Sequence, residues 1–330
     1  MRLLVLGDFH YKALANLTPA WYEITRNVAH QGFNYARSQK ICHVVITGDI
    51  FNNYNPSQED LIGFFSLFEN YVDLFFHIYL GNHDQKDATV NSLAFMAYAA
   101  KYFPHLKFYM EPTQVDIEGV KCCFLPWPHK KHIKGSVLTF AHVPIKGAKA
   151  DNNKVFTEGL VASNKTYWIV GDLHRFQKGK NWIFPGALFQ LKNNDSHKRY
   201  MLDVNIRKGT IQIKRQRLHL GYRLKAVKLE NEPKNWKFLN EKGVIWTIYA
   251  DFTVPDHPSI LRVLPLSKNA AEKVDLNAAS QVSAFEPAKF AHHVKGFLRK
   301  NGVRKKKLPS YMKIFERAMK SVRDTHASKR

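Results

Sequence analysis

The chain has 330 residues, 45% of them hydrophobic, with 17 glycines and 14 prolines. This excludes a wholly disordered or collagen-like chain, and the length suggests about two domains. Fifty lysines and arginines against 27 acids leave a net charge of +23, which favours a polyanionic partner, nucleic acid before an anionic membrane surface.

No apolar run approaches the ~20 residues that span a bilayer, so no membrane segment is expected. The opening MRLLVLGDFH reaches Asp8 and His10 after one short apolar run. It lacks a small-residue cleavage site and reads as a first strand over residues 3–6, not a signal peptide. Residues 19–40 follow as a helix with Pro19 near its start. The β-branched HVVIT at 43–47 is a second strand, 57–72 a second helix, 75–80 a third strand and 93–103 a third helix. That alternation predicts an α/β layer with parallel strands. After residue 105 short strands follow one another, at 107–110, 114–117, 121–125, 137–141, 167–170, 200–204 and 210–214. They predict a second, more antiparallel sheet packed on the first. Glu118-Gly119 and Arg207-Lys208-Gly209 read as hairpin turns. Beyond a boundary near 220, residues 244–252 and 259–265 are strands, and 287–300 and 309–322 are basic helices. Cys42, Cys122 and Cys123 make no disulfide framework and read as buried strand thiols, which points to the cell interior.

Five short motifs stand at the ends of predicted strands: Gly7-Asp8-Phe9-His10, Gly48-Asp49-Ile50-Phe51-Asn52, Gly81-Asn82-His83-Asp84, the lone His142, and Gly171-Asp172-Leu173-His174. In α/β sheets the carboxyl ends of strands converge on a functional crevice. Imidazole and carboxylate groups together suit Mn²⁺, Fe²⁺ or Zn²⁺. One such motif is weak evidence, but five in order, each after a strand, form a pattern.

These motifs resemble the signature of calcineurin-like metallophosphoesterases, over about residues 1–215. Within that family the chain is similar to SbcD-like nuclease subunits of double-strand-break repair. GDIFNNYNPS, with Pro56 and Ser57, FLPW before the single-His strand, and IFPGAL followed by KRYMLDV carry the likeness. The resemblance implies an α/β (α+β) sandwich: a two-sheet metallophosphoesterase core at 1–218, a small α+β capping domain at 219–285 that orients DNA, and a basic helical tail at 286–330. It implies two divalent metal ions, Mn²⁺ first and Mg²⁺ as the alternate. Asp8, His10 and His174 would hold one, Asn82, His142 and Asp172 the other, and Asp49 would bridge them. His83 would sit beside the scissile phosphate as a proton donor, oriented by Asp84. The reaction implied is phosphodiester hydrolysis by a two-metal mechanism, with exonuclease and endonuclease action on DNA in recombination. The partners implied are DNA, an SMC-like ABC ATPase (SbcC-like) and a second copy of the chain. The place implied is bacterial or phage-infected host cytoplasm.

Two positions depart from the family pattern. Asp172 stands where the last motif usually has His, which adds a negative charge and should favour a harder ion. Asn52 stands where relatives often carry His or Asp, a position that places the phosphate for exonuclease action.

His30, His43, His77 and His105 read as structural, and the basic PHKKH loop with His129 and His132 as either a phosphate contact or a solvated turn. Tyr11 and Lys12 read as either substrate path or surface loop. Residues 289–330 hold 14 lysines and arginines against two acids, about half of the whole excess, including the run Arg304, Lys305, Lys306 and Lys307. This tail reads as a DNA or partner contact, or as helices packed on their own domain. Two rival readings stand beside the nuclease: a phosphoesterase of small phosphoesters, and a DNA-binding subunit whose metal site has decayed around Asp172.

Overall fold

A computed structural model describes residues 1–264, apart from 19, 88, 89, 132, 164, 194, 197 and 258. The basic helices, the run Arg304–Lys307 and the rest of the 286–330 tail lie outside the described residues, as do Pro19 and His132.

The first sheet is built on Arg2–Leu6 (β1), His43–Ile46 (β2), Phe75–Tyr79 (β3) and Leu106–Tyr109 (β4), all parallel. Its inner strands are apolar at most positions, Arg2, His43 and His77 excepted, because both faces are covered. Leu4, Leu6, Val44, Ile46, Phe76 and Ile78 point to one side, under the helices Trp21–Ser38 (α1), Gln58–Ser66 (α2) and Ala94–Ala99 (α3). Leu3, Val5, Val45 and Tyr79 point to the other, into the space between the sheets. The period of two in the strand backbone produces this division. Under the helices, Phe33 packs within 4.9 Å of Tyr71 and of Phe76, centroid to centroid, and Phe68 within 4.7 Å of Phe76. Each such ring removed from water contributes about 1.5–3 kcal/mol.

α2 starts in a capping box: Ser57 Oγ accepts from Asp60 N, and the Asp60 carboxylate accepts from Ser57 N. It ends at Ser66, short of the expected 72, in a run of turns that returns the chain to β3. α3 likewise ends early, in a 3-10 turn at Ala100–Tyr102.

The second sheet differs from expectation in membership and direction. Its order is Thr113–Ile117 (β5), Val120–Leu125 (β6), Leu138–His142 (β7), Tyr167–Gly171 (β8), Trp182–Phe184 (β10) and Gln177–Lys178 (β9). The pairs β6–β7, β7–β8 and β8–β10 are parallel; only the outer pairs β5–β6 and β10–β9 are antiparallel. The strand expected at 107–110 is β4 of the first sheet. Those expected at 200–204 and 210–214 are Arg199–Arg207 (β11) and Thr210–Leu218 (β12), which close the free edge of β1 in antiparallel register. Local pattern marks a strand but not the edge it joins, so these assignments needed the tertiary fold. Both hairpin turns are as read: Glu118-Gly119 and Lys208-Gly209 have positive φ at both central residues, the primed geometry that suits strand twist.

Arg223–Lys228 (β13), Val244–Tyr249 (β14) and Ile260–Leu264 (β15) form a third, all-parallel sheet with its own cluster around Leu239, Trp246 and Ile248. Its first strand is tied to the main core. Leu224 N donates to Gln190 Oε1 at 2.8 Å, and Tyr222 Oη donates to the Gln190 carbonyl at 2.8 Å. Cys122 and Cys123 are buried in β6, whereas Cys42, just before β2, is exposed, contrary to expectation. No helix among the described residues is long and apolar enough to cross a membrane.

Candidate metal centre

The carboxyl ends of β1, β2 and β3 in one sheet and of β7 and β8 in the other open on the same crevice. Each delivers one motif there. Close backbone approach is what brings them together. A side chain at Gly81 would place its Cβ 2.1 Å from Asp49 Oδ1, and one at Gly171 would lie 2.2 Å from the Thr47 carbonyl oxygen. His10, Asp49 and Asp172 adopt positive φ (44°, 45° and 96°), sparsely populated for non-glycine residues. Backbone strain of this kind concentrates where surrounding contacts over-determine the geometry.

Asp8, His10 and His174 each bring one ligand atom within 4.8 Å of the others. His10 Nε2 lies 3.2 Å from His174 Nε2 and 3.5 Å from Asp49 Oδ2. Asp8 is held by Thr47 Oγ1, which donates to Oδ1 at 3.0 Å, and by Asp172 N, which donates to Oδ2 at 3.1 Å. On the other side of Asp49, its Oδ1 lies 3.3 Å from His142 Nε2, and Asn82 Oδ1 lies 2.9 Å from that same nitrogen. His142 Nδ1 donates to the Thr47 carbonyl at 2.7 Å, so the ring presents Nε2 to two acceptor oxygens. Asp49 thus stands between the two groups.

The electrostatics follow from burial and from the charges that face one another. Burial raises the Asp8 pKa well above the carboxylate range and lowers that of His10 to about 3. Burial also raises Asp172 and lowers His174. For Asp49 burial acts upward, but His142, His10 and His83 outweigh it and hold the carboxyl below its ordinary value. For His142 burial acts downward, and Asp49, Asp8 and Asp172 outweigh it and hold the ring proton. Neutral imidazoles facing each other, with carboxylates and an amide oxygen converging on them, are an N/O donor set for divalent cations. The residues present therefore fit a metal centre. Asp8, His10 and His174 would form one half; Asp49 stands between them and the His142–Asn82 pair, while Asp172 reaches the group through its backbone N–H on Asp8.

His83 N donates to Asp49 Oδ1 at 2.9 Å, and its ring stands at the rim with Nδ1 3.1 Å from the Asn52 carbonyl. The contact uses the Asn52 backbone; the Asn52 side chain lies in an exposed turn. Asp84 does not orient His83, contrary to expectation. Its Oδ2 accepts from Gly81 N (2.9 Å) and Ile50 N (3.0 Å), and its Oδ1 from Phe51 N (2.9 Å) and Ser92 Oγ (3.2 Å). Two loops each needed an acceptor for orphaned N–H groups, and the fully buried carboxylate satisfies both. Burial, with Asp49 adding, raises Asp84 to about 6, while the three N–H donors pull the other way.

Two contributors had no sequence signal. Thr47 touches both Asp8 and His142. Asp151, in the excursion between β7 and β8, sets Oδ2 3.2 Å from His174 Nδ1, a close approach off-line for a hydrogen bond, and its Oδ1 accepts from His174 N at 3.3 Å. Tyr11 belongs to neither reading made for it. It is buried against Trp21, Phe51 and Phe64, and Lys12 pairs with Asp60 at 3.0 Å. His129 pairs with Glu111 at 3.1 Å.

The profile of the calcineurin-like phosphoesterases matches residues 1–195. The chain belongs to this family, whose members use divalent metal ions. Exonuclease subunit 1 of Enterobacteria phage T4 is 25% identical over 214 residues, which cover 60% of this chain and 62% of that protein. Among solved structures, TT1561 of Thermus thermophilus is 12% identical with a TM-score of 0.39, covering 65% of this chain and 98% of that one. GAP50, the anchor in the inner membrane complex of Plasmodium, is 13% identical with a TM-score of 0.39, covering 66% and 89%.

Proposed function

We propose that this calcineurin-like phosphoesterase is an SbcD-like DNA nuclease subunit that hydrolyses phosphodiesters with two divalent cations, Mn²⁺ by preference. The observation that carries the reading is Asp49, shared between two facing donor groups, with the His83 ring at the rim beside them. A charge of +23 and the likeness to a phage exonuclease subunit support DNA as the substrate. Bound divalent cations supply Lewis acidity toward phosphoryl oxygens and raise the acidity of water.

The chain's own residues do the rest. Asp8, Asp49 and Asp172 bring carboxyl oxygens to the place where cations would bind, with Asp49 held ionised by the imidazoles around it, and Asp151 and Thr47 flank the imidazoles of His174 and His142. A carbonyl oxygen only accepts, so His83 keeps a proton on Nδ1 against Asn52. When Nε2 carries a proton as well, it is the atom that passes that proton to the leaving oxygen. Water adds to phosphorus and releases a proton, which restores the one given up by His83; the P–O bond to one nucleoside breaks, and the products are a phosphomonoester end and a hydroxyl end. Residues 1–218 would form the catalytic unit, 219–285 would orient duplex DNA, and the basic tail at 286–330, with Arg304–Lys307, would contact DNA or an SMC-like ATPase. A second copy of the chain, recombination as the setting and the cytoplasm as the place belong to the same reading.

The test is cleavage of linear duplex and single-stranded DNA in Mn²⁺, Mg²⁺ and chelator, with and without His83→Ala. Cleavage that needs metal and falls about 10²- to 10⁴-fold in the variant is expected. Salt-sensitive DNA binding without cleavage, with an ATPase partner present, would refute the nuclease assignment.

A further inference from the structure

Two loops that carry the metal centre continue past it into a shared rim. One leaves Asp49 and runs through exposed Asn52, Asn53, Tyr54 and Asn55 to the Ser57 cap of α2. It is shaped by an Asx turn, in which Asn55 N donates to Asn53 Oδ1 at 3.1 Å. The other leaves His83 and doubles back, with Gln85 bridging to Asn91 and Lys86 N donating to the Val90 carbonyl at 2.9 Å. The loops meet at two points. One is the His83 ring at the Asn52 carbonyl. The other is Lys86, whose Nζ lies 5.8 Å from the centroid of the Tyr54 ring.

Tyr54 is 38% exposed although it stands only two residues beyond the His83 contact. Phe75, the other large aromatic exposed to a similar degree among the described residues, starts β3 at the opposite end of the sheet and stacks on His43. A flat, exposed ring beside the candidate phosphate site, with a cation over one face, has the chemistry of a single-strand binding platform. The other π-face takes any base and the ammonium takes the neighbouring phosphate.

We propose that Tyr54, with Lys86 beside it, is the stacking platform for the nucleobase of the nucleotide presented at His83. This rests on the nucleic-acid reading above and sharpens it. The platform would select polynucleotide over small phosphoesters, with little preference among bases. It also requires the nucleotide at the site to be unpaired, so duplex ends would have to fray before cleavage.

The test uses the full chain and single-stranded oligonucleotides in chelator, so that binding is read without cleavage. One set carries all its bases and reports stacking through 2-aminopurine fluorescence. A second set carries one abasic residue moved along the strand. In the wild type, one abasic position should weaken binding about 10-fold, the range of a single base–aromatic stack. Tyr54→Ala should lose the same factor on the intact strand and nothing more on that abasic strand. Tyr54→Phe should match the wild type, and Lys86→Ala should flatten the salt dependence by about one phosphate contact. Equal sensitivity to the abasic position in wild type and Tyr54→Ala would overturn the platform even if cleavage is intact. A wild type that neither binds nor cleaves DNA would instead overturn the nuclease reading, and the platform with it.

Discussion

Replacing Asp84 separates a loop-tying role from an imidazole-orienting one. Its carboxylate is fully buried and accepts from three backbone N–H groups, of Gly81, Ile50 and Phe51, and from Ser92 Oγ. Asp84→Ala leaves three buried N–H donors without partners, at about 1–3 kcal/mol each. A loss of roughly 3–9 kcal/mol is comparable with the whole stability of a domain, so this variant should be largely unfolded. Asp84→Asn keeps one oxygen, able to serve Gly81 and Ile50, but turns an NH₂ toward the Phe51 N–H. One charge-assisted bond is lost and one donor faces another, a cost of about 2 kcal/mol after the relief of not burying a charge. Urea unfolding followed by tryptophan fluorescence measures this as a lower midpoint at unchanged slope. Because the two loops carry Asp49, Asn82 and His83, metal affinity should fall with stability. If Asp84→Asn unfolds at the wild-type midpoint and only activity is lost, the carboxylate is not what ties the loops, and an orienting role is restored.

Asp151→Asn removes the carboxylate charge that faces His174 Nδ1; such supporting groups are worth about 10- to 100-fold in metal affinity, so calorimetric titration with Mn²⁺ should show a loss in that range with the unfolding midpoint of the metal-free protein little changed. His77 is buried, with Nδ1 2.8 Å from Tyr109 Oη and Nε2 3.1 Å from His43 Nδ1, and burial lowers its pKa to about 3, with His43 and Lys107 adding. The unfolded chain protonates this residue below about 6.5 while the folded one does not, so its contribution is complete above that pH and is lost as pH falls toward 3. Between pH 7.5 and 5 the loss is about 2 kcal/mol. His77→Phe should remove that slope from the pH dependence of stability, and an unchanged slope would show that the ring titrates normally.

Much of the site was legible along the chain because its chemistry sits in contiguous motifs. Asp8 and His10, Asp49, Asn82 and His83, His142, and Asp172 and His174 all follow strands whose β-branched, apolar runs are local signals. Sequence order could not reveal what each side chain spends its bonding on. Asp84 follows His83 directly, yet it bonds three backbone N–H groups from two loops. Asp151 lies 23 residues before His174, in a stretch with no motif, and reaches it only because the excursion after β7 folds back.

From the sequence alone came the alternation of strand and helix, the two primed hairpin turns, the basic excess and the positions of the five motifs after strands, because each depends on a few adjacent residues. Tertiary structure decided the rest. β11 pairs with β1 across about 200 residues, the middle of the second sheet runs parallel, and Tyr11 is core while Tyr54 is rim. Strand partnership and burial are set by which edges and faces remain free once the core has closed, and that is a property of the assembled chain. The charge divides in the same way. Its total is plain from composition, but what each cation meets is decided by the fold, as where Arg223 and Lys225 share Glu241 and Lys86 stands over the Tyr54 ring.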